Sequence, residues 1–489
     1  MKRQLYLWHR WLGIVACLFM ALWFVSGVVM LYVGYPKLTP AERLAHLPAL
    51  PQGCCAELAP GWAQQPMKAL RLTSLGGRPY YLLELADGRR VTLDAARGEP
   101  LASSDATWAL ANARQYAGDV PLAYLGRVDE DMWTHSRALD SERPLHKVQV
   151  DADGTWLYLS GRTGEVVRDA SAQERAWNWV GAWLHWLYPL RGGLGFDNGW
   201  RTLVIGLSLL GTLMAVMGMA VGILRLRLRK RYRSGSCSPY PGGWLRWHHI
   251  GGLLFGVVLV SWVFSGLMSM RPWGLTDSHS HLDLSALRQG PLRPAELAMP
   301  VRQVMARLAE DGFVPVELQW QRLAGVTFVV ARNASGASRL VEAGKPPMRA
   351  LPRQRLLAAA RLIAPAIALE DHWQRSYDFH YFARDPQSMY GFQTRPLPVL
   401  GLRFSDPART WVYLDPASGE VVASMDRTQR VGRWLFNLLH SWDWQPLLAR
   451  PLLRESLLIA MSIGGLVVAL SGVVLGWRRL RRVSKQSLR

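Results

Sequence analysis

Four of the twelve histidines recur in two pairs when the first half of the chain is laid on the second. A shift of 239 residues places "WHRWLG" on "WHHIGG" and so matches His9 with His248. A shift of 255 residues places "WLH" on "LLH" and matches His185 with His440. Neutral imidazole is a common ligand for transition metals, haem iron among them. Alternatively, each histidine is an interfacial side chain that hydrogen-bonds water or a lipid headgroup.

Glycine follows two of these histidines at a spacing that suits a flat ligand. Gly13 lies four residues after His9 and Gly252 four residues after His248, so each glycine shares a helix face with its histidine. A glycine there removes the side chain that would obstruct a porphyrin lying against the helix. His249 is the weaker candidate ligand, because an arginine occupies its place in the first half.

The repeat also predicts which histidines meet. If the two halves pack about a pseudo-two-fold axis, His9 faces His248 and His185 faces His440. The two pairs then lie at opposite ends of a hydrocarbon core about 30 Å thick. Two imidazoles on one iron give a low-spin electron-transfer centre. These residues therefore predict two haem b groups with the four histidines as axial ligands of haem iron, and no separate catalytic residue, since the cofactor does the chemistry.

Four stretches of the chain are apolar and long enough to cross a bilayer, which takes about 20 residues. They are residues 11–33, 202–224, 248–270 and 455–477. The first could pass for a signal peptide, but its apolar run is too long and a related run recurs later in the chain. We expect four transmembrane helices, arranged as a tandem duplication of a span, an outer domain and a returning span.

Charge is distributed unevenly along the chain, whose formal net charge is +21. Residues 1–10, 225–246 and 478–489 carry 3, 7 and 6 basic residues and no acidic ones, whereas 34–200 and 271–453 are close to balanced. Basic residues concentrated on alternate loops indicate the cytoplasmic side of a membrane. We therefore expect both termini and the 225–246 loop in the cytoplasm and the two large segments outside. The charge predicts contact with membrane lipid and not with nucleic acid.

The outer segments carry strand and turn patterns of their own. "WLYLSGRTGEVV" (156–167) and "WVYLDPASGEVV" (411–422) each read as an alternating strand, a polar turn with glycine and a second short strand. Helix-like segments lie between such patterns, which predicts two small α+β modules in each outer domain.

The four cysteines suggest little chemistry. The chain has no C-x-x-C or C-x-x-C-H motif, so covalent haem attachment and thioredoxin-like chemistry are unsupported. The vicinal Cys54 and Cys55 are not expected to bond to each other.

Two of these motifs resemble a known family. The turn "DPASGEVV" (415–422) is similar to the signature of the PepSY domain, and "HRWLG" with the later "WLH" and "LLH" resembles the PepSY-associated transmembrane family. The resemblance covers nearly the whole chain. It implies a bacterial inner-membrane protein, often iron-regulated, with four transmembrane helices and two periplasmic α+β PepSY-like domains at 34–200 and 271–453.

The resemblance also implies a function. The better understood members of the PepSY-associated transmembrane family resemble b-type dihaem reductases that release iron from ferric siderophores in the periplasm. We expect electrons from a quinol or a cytoplasmic reductase, because the chain has no G-x-G-x-x-G and no P-loop for a nucleotide. The alternative is a haem-free PepSY scaffold, or a regulatory or binding protein of an iron-uptake system. Transport of iron or a chelate is less attractive, since the spans lack a buried carboxylate.

Overall fold

The computed structural model describes residues 2–101, 104–191, 199–389, 391 and 393–487. The α-helices of this part are, in chain order, α1 (Lys2–Tyr32), α2 (Pro40–Ala45), α3 (Pro60–Ala63), α4 (Ala106–Ala117), α5 (Ala172–Val180), α6 (Ala182–His185), α7 (Trp200–Arg225), α8 (Gly243–Ser269), α9 (Val301–Glu310), α10 (Arg353–Ile363), α11 (Arg427–Arg433), α12 (Leu439–Ser441), α13 (Gln445–Leu448) and α14 (Pro451–Ser487).

The four long helices α1, α7, α8 and α14 are each apolar and long enough to cross a membrane. The prediction of four spans is therefore confirmed, and the chain is a membrane protein. Three of these helices, α1, α8 and α14, extend beyond their apolar stretch. In each, the extension is at the end that carries arginine or lysine. Long basic side chains extend from such helix ends toward water, so a helix can continue beyond the hydrocarbon core.

The four spans form a bundle in which equivalent helices of the two halves alternate. Both α1 and α8 pack against α7 and α14. Glycines permit the close approach, since they let helix backbones come together in a membrane. Gly211 of α7 lies against Val263 of α8, and the matching Gly465 of α14 lies against Phe24, the equivalent of Val263. The same contacts in both halves give the bundle the pseudo-two-fold symmetry that the repeat predicts.

The two segments that join α1 to α7 and α8 to α14 contain three antiparallel sheets. Their strands are β1 (Met67–Leu75), β2 (Arg78–Leu85), β3 (Arg90–Asp94), β4 (Leu122–Val128), β5 (Leu145–Val150), β6 (Trp156–Ser160), β7 (Val166–Ala170), β8 (Glu317–Leu323), β9 (Val326–Arg332), β10 (Ser338–Val341), β11 (Leu369–Gln374), β12 (Val399–Phe404), β13 (Trp411–Leu414) and β14 (Val421–Met425). Strands β4–β7 form one four-stranded sheet and β11–β14 another.

The third sheet joins the two halves. Its order is β10-β9-β8-β1-β2-β3, so three strands come from each half and β1 pairs with β8 at the centre. Leu70 and Leu72 of β1 lie opposite Trp320 and Leu318 of β8, and all four are buried. A three-stranded unit leaves an edge strand with unpaired backbone groups. Here the equivalent edge of the other half satisfies them, so the two outer segments share one central sheet.

The repeated G-E-V-V turn fastens each four-stranded sheet to this central sheet. Arg71 of β1 donates to both carboxylate oxygens of Glu165, at 2.9 and 2.6 Å. In the second half, Glu420 accepts hydrogen bonds from Gln319 and Gln321 of β8, at 3.0 and 2.6 Å. The glutamate of the signature therefore has a structural contact in both halves.

The expectation that Cys54 and Cys55 stay unbonded is wrong. A disulfide joins them across a cis peptide bond, which brings neighbouring side chains to the same side of the backbone. Cys55 is buried beside the central sheet.

Candidate functional site

The first histidine pair, here called the basic-end pair, consists of His9 on α1 and His248 on α8. Their ring centroids lie 6.2 Å apart across the bundle. His9 Nδ1 donates to the carbonyl oxygen of Met214 at 3.1 Å, and His248 Nδ1 to that of Val468 at 3.2 Å. Because a carbonyl only accepts hydrogen bonds, the proton of each ring is on Nδ1 and Nε2 is unprotonated. That is the tautomer that binds a metal through Nε2.

The second pair, here called the outer pair, consists of His185 and His440, with ring centroids 6.1 Å apart. Ser26 and Ser265, which match across the repeat, lie with Oγ 3.0 Å from the Nδ1 of His185 and His440 respectively. Each serine hydroxyl already donates to a helix carbonyl one turn earlier. The serine oxygens therefore accept from Nδ1, and Nε2 is again the nitrogen left for a metal.

Matching local structure positions the outer pair. Helix α5 begins with a capping box in which Ser171 and Glu174 exchange hydrogen bonds, and the chain then turns into α6, which carries His185. Helix α11 begins with the equivalent box, formed by Asp426 and Gln429. The second half then departs from the first, because a π-helical turn at Trp434–Leu438 precedes α12 and His440. Capping boxes satisfy orphan amides and so fix where a helix starts.

Four glycines border the imidazoles, and they are not the predicted ones. A Cβ placed on Gly27 would lie 3.6 Å from His185 Cε1, and one on Gly266 would lie 3.8 Å from His440 Cε1. A Cβ on Gly218 would lie 2.6 Å from His9 Cε1. The fourth, on Gly472, would lie 3.4 Å from His248 Cε1.

No imidazole lies within 4 Å of a Cβ placed on the predicted Gly13 or Gly252. A Cβ on Gly13 would meet Cys17 Sγ at 3.9 Å, and one on Gly252 would meet no atom within 4 Å. These two positions are clear for a ligand lying against the helix, and their contact with one stays a prediction.

His249 has a different surrounding from His248. Its ring is buried, with Nδ1 2.9 Å from Ser238 Oγ and Nε2 3.0 Å from the carbonyl oxygen of Gly222. Both ring nitrogens are therefore used within the protein. His249 fastens the basic loop to α7, while His248 faces His9.

The spacing of both pairs suits an iron held between two imidazoles. Metal–nitrogen bonds to histidine are about 2 Å long, which places the ring centroids on opposite sides of one metal roughly 6 Å apart. Among the described residues, no group of three or more His, Cys, Asp or Glu side chains could hold a metal ion. A porphyrin supplies four further ligands itself, so paired histidines are sufficient for haem.

A cavity of about 730 Å³ opens beside the outer pair. This volume is in the range of sites for small organic ligands, which is about 300–1,000 Å³. Both halves supply its walls, which are mostly apolar and include His185, His440, Gly27, Gly266, Phe24 and Trp262. Burial lowers the pKa of His185 to about 3 and that of His440 to about 4. Both rings are therefore neutral at pH 7, as ligation requires.

Sequence comparison finds a family model that matches residues 6–339, more than half of the chain. The chain therefore belongs to the PepSY-associated TM region family. The match includes α1, α7 and α8 with His9, His185 and His248, whereas α14 and His440 of this PepSY-associated protein lie beyond it. No curated protein matches the chain.

Several side chains that hold the histidines were not predicted from the sequence. Ser26 and Ser265 coincide when the chain is shifted by 239 residues, so the repeat carried a signal for them. Trp23 also holds a histidine, because its Nε1 donates to the carbonyl oxygen of His185 at 3.0 Å and so fixes the turn that carries this ligand candidate. The hydroxyl of Ser471, 2.9 Å from His248 Nδ1, has no equivalent in the first half, where Met217 occupies its place.

Proposed function

We propose that this protein is a b-type dihaem reductase of the bacterial inner membrane, which passes electrons to periplasmic ferric iron, bound to a siderophore. One observation carries the proposal. Two repeat-related histidine pairs have ring centroids 6.2 and 6.1 Å apart. The spacing and the Nδ1 hydrogen bonds of all four rings favour haem ligation over four unrelated interfacial histidines.

The residues divide the task between two sites. His9 and His248 would hold one haem, and His185 and His440 the other. Haem bound there supplies a one-electron iron couple, while the protein provides ligands and surroundings. Ser26, beside the outer pair, is 17 residues after His9 on the same helix, or about 25 Å along its axis. The pairs therefore span most of a hydrocarbon core about 30 Å thick.

The interior between the pairs is apolar and closely packed. Buried side chains such as Ala16, Cys17, Met20 and Leu259 occupy it. They exclude water, so electrons can pass between the sites without an aqueous channel for ions.

The charges support one direction of electron flow. The basic-end pair adjoins the lysine- and arginine-rich ends of the spans, and basic residues are concentrated on the cytoplasmic side of membrane proteins. Electrons from a quinol or a cytoplasmic reductase would enter there. The outer pair adjoins the sheets, where ferric iron would be reduced. Ferrous iron binds hard oxygen ligands more weakly than ferric iron does, so it would leave the chelator.

The test is the visible spectrum and haem content of the purified full-length chain. We expect a Soret band that shifts on reduction with dithionite, and about two haem b per chain by the pyridine haemochrome method. His185→Ala and His248→Ala should each lower the content to about one, while His249→Ala, which changes a histidine that faces neither pair, should retain both. A folded but colourless wild-type protein would contradict the proposal and favour the haem-free scaffold.

A further inference from the structure

Two matching segments outside the four spans are short and free of charge. They are residues 179–187 and 434–442, here called the outer turns, which coincide when the chain is shifted by 255 residues and carry His185 and His440. Each has nine residues, and neither contains Asp, Glu, Lys or Arg. A bilayer takes about 20 residues to cross, and shorter apolar stretches are typical of buried elements or of elements that enter the membrane and return.

The first outer turn lies along the outer part of α1. A Cβ on Gly181 would lie 3.0 Å from Val29 Cγ1, and the His185 ring contacts Ser26, three residues further into the span. Ser26 is seven residues before the end of the apolar run at residue 33, which is about 10 Å along the helix axis. The turn therefore descends beside residues that belong to the span itself.

The second outer turn lies at a similar depth on α8. Ser261 Oγ donates to the carbonyl oxygen of Leu439 at 3.4 Å, and Ser265 Oγ lies 3.0 Å from the ring of His440. Ser265 is five residues before the end of the apolar run at residue 270, or about 8 Å along the axis. Both imidazoles are thus well inside the outer ends of the apolar runs.

Each outer turn ends where the chain changes direction. Leu187 and Trp442, which correspond in the repeat, both have left-handed backbone angles, with φ of 54° and 51°. A left-handed residue after a helix ends the helix and redirects the chain. The chain then leads to α7 in the first half and to α14 in the second, so neither outer turn crosses the bundle.

Carbonyl groups at these changes of direction are hydrogen-bonded within the protein. Trp200 Nε1 donates to the carbonyl oxygen of Trp186 at 2.8 Å, and Arg454 Nε donates to that of Ser441 at 3.0 Å. The two acceptors correspond in the repeat, and the two donors coincide at the shift of 254 residues that aligns the returning spans. Irregular backbone at membrane depth requires such partners, because hydrocarbon supplies none. The same arrangement in both halves suits turns surrounded by lipid and protein.

A tryptophan at the start of each outer turn has one side against the protein and the other exposed. Trp179 packs beside Trp183, with ring centroids 4.5 Å apart, and Trp434 beside Phe379, at 4.3 Å. The two side chains remain 46% and 52% exposed. The helical segments that carry them contact α1 and α8 respectively. Indole rings are enriched at the boundary between hydrocarbon and headgroups, so these exposed sides fit a lipid surface.

We infer that the outer turns enter the outer leaflet of the membrane and return, with the exposed sides of Trp179 and Trp434 against lipid. The imidazoles of the outer pair are then held inside the bilayer by segments that do not cross it. The inference refines the expected topology, since it places part of each large segment between the spans below the membrane surface. It does not depend on haem, so it is tested separately from the proposed function.

The experiment measures the depth of nitroxide spin labels on the full-length chain in phospholipid vesicles. Labels are attached to the new thiols of Trp179→Cys and Trp434→Cys. Cys237→Ser provides the background, because the other native cysteines are buried or bonded to each other. Collision of each label with oxygen, which is concentrated in lipid, is compared with its collision with a nickel chelate, which stays in water.

Two labelled controls define the scale. Val216→Cys, near the middle of α7 with a side chain 49% exposed, reports lipid. Ser335→Cys, exposed in the turn between β9 and β10, reports water. Val180→Cys and Leu435→Cys, which correspond in the repeat, are second reporters of the same depth if loss of a tryptophan prevents folding.

We expect the labels at 179 and 434 to collide more with oxygen than with the nickel chelate, as at 216, and the ratio to be reversed at 335. More collision with the nickel chelate at either position would place that turn in water and overturn the inference. Little collision with either reagent would show that protein, such as a second copy of the chain, covers these faces, and would overturn it as well. Haem content bears on the proposed function alone.

Discussion

Replacing Gly218 by alanine should weaken haem binding at the basic-end site and leave the outer site intact. The added Cβ would lie 2.6 Å from His9 Cε1, where 3.4 Å is the lower limit of ordinary contact, so the imidazole must move by about 0.8 Å. The ring cannot move freely, because its Nδ1 is bonded to the Met214 carbonyl on the same face of α7. Overpacking of this kind costs about 1–3 kcal/mol, which is roughly 5- to 150-fold in affinity for haem at this site.

The assay is haem content and reductive titration of the purified variant. We expect the haem content to fall from about two toward one, with the remaining spectrum that of the outer site. Gly206→Ala is the control, since a Cβ there would meet no atom within 4 Å and the substitution improves helix propensity. If Gly218→Ala keeps both haems at wild-type affinity and potential, His9 does not hold a cofactor in the position seen here.

Three further predictions concern the other features. Gly252→Ala has room within the protein, so it should not lower thermal stability but should weaken haem binding at the basic-end pair; unchanged haem affinity would show that no ligand lies against this face. His440→Ala should abolish ferrous iron release, measured with a ferrozine-type chelator outside proteoliposomes, while the basic-end haem is still reduced by its donor; full release would make the outer pair structural. Alkaline phosphatase fused near residue 120 or 340 should be active and near 235 inactive, and activity at 235 would refute the assigned orientation.

Much of the membrane region was predictable because its signals are local and occur twice. Apolar runs of sufficient length specify the spans, and two constant shifts specify which histidines correspond. Pseudo-symmetry then predicts that His9 meets His248, and the structure places their rings 6.2 Å apart. The alignment also favours His248 over His249 as the candidate ligand. The physical reason is that both ring nitrogens of His249 are hydrogen-bonded within the protein.

The features that were not predictable depend on contacts between distant residues. The pairing of β1 with β8 joins residues near 70 to residues near 320, and alternating strands reveal no particular partner. Likewise, the glycine beside the His9 ring is Gly218, which belongs to a different helix, α7. Spacing along the chain from His9 predicted Gly13 instead, because Gly13 lies on the same helix as His9. The Cys54–Cys55 bond depends on a local backbone geometry that residue types do not specify.

The shared construction of the two histidine pairs would limit when haem could be inserted during synthesis. Each pair takes one ring from each half, and the His248 ring is held by a carbonyl of α14. His440 also comes only 11 residues before α14 begins at Pro451. A nascent chain that has completed only its first half therefore presents single imidazoles in the bilayer. Both sites would become complete at nearly the same moment, when α14 inserts.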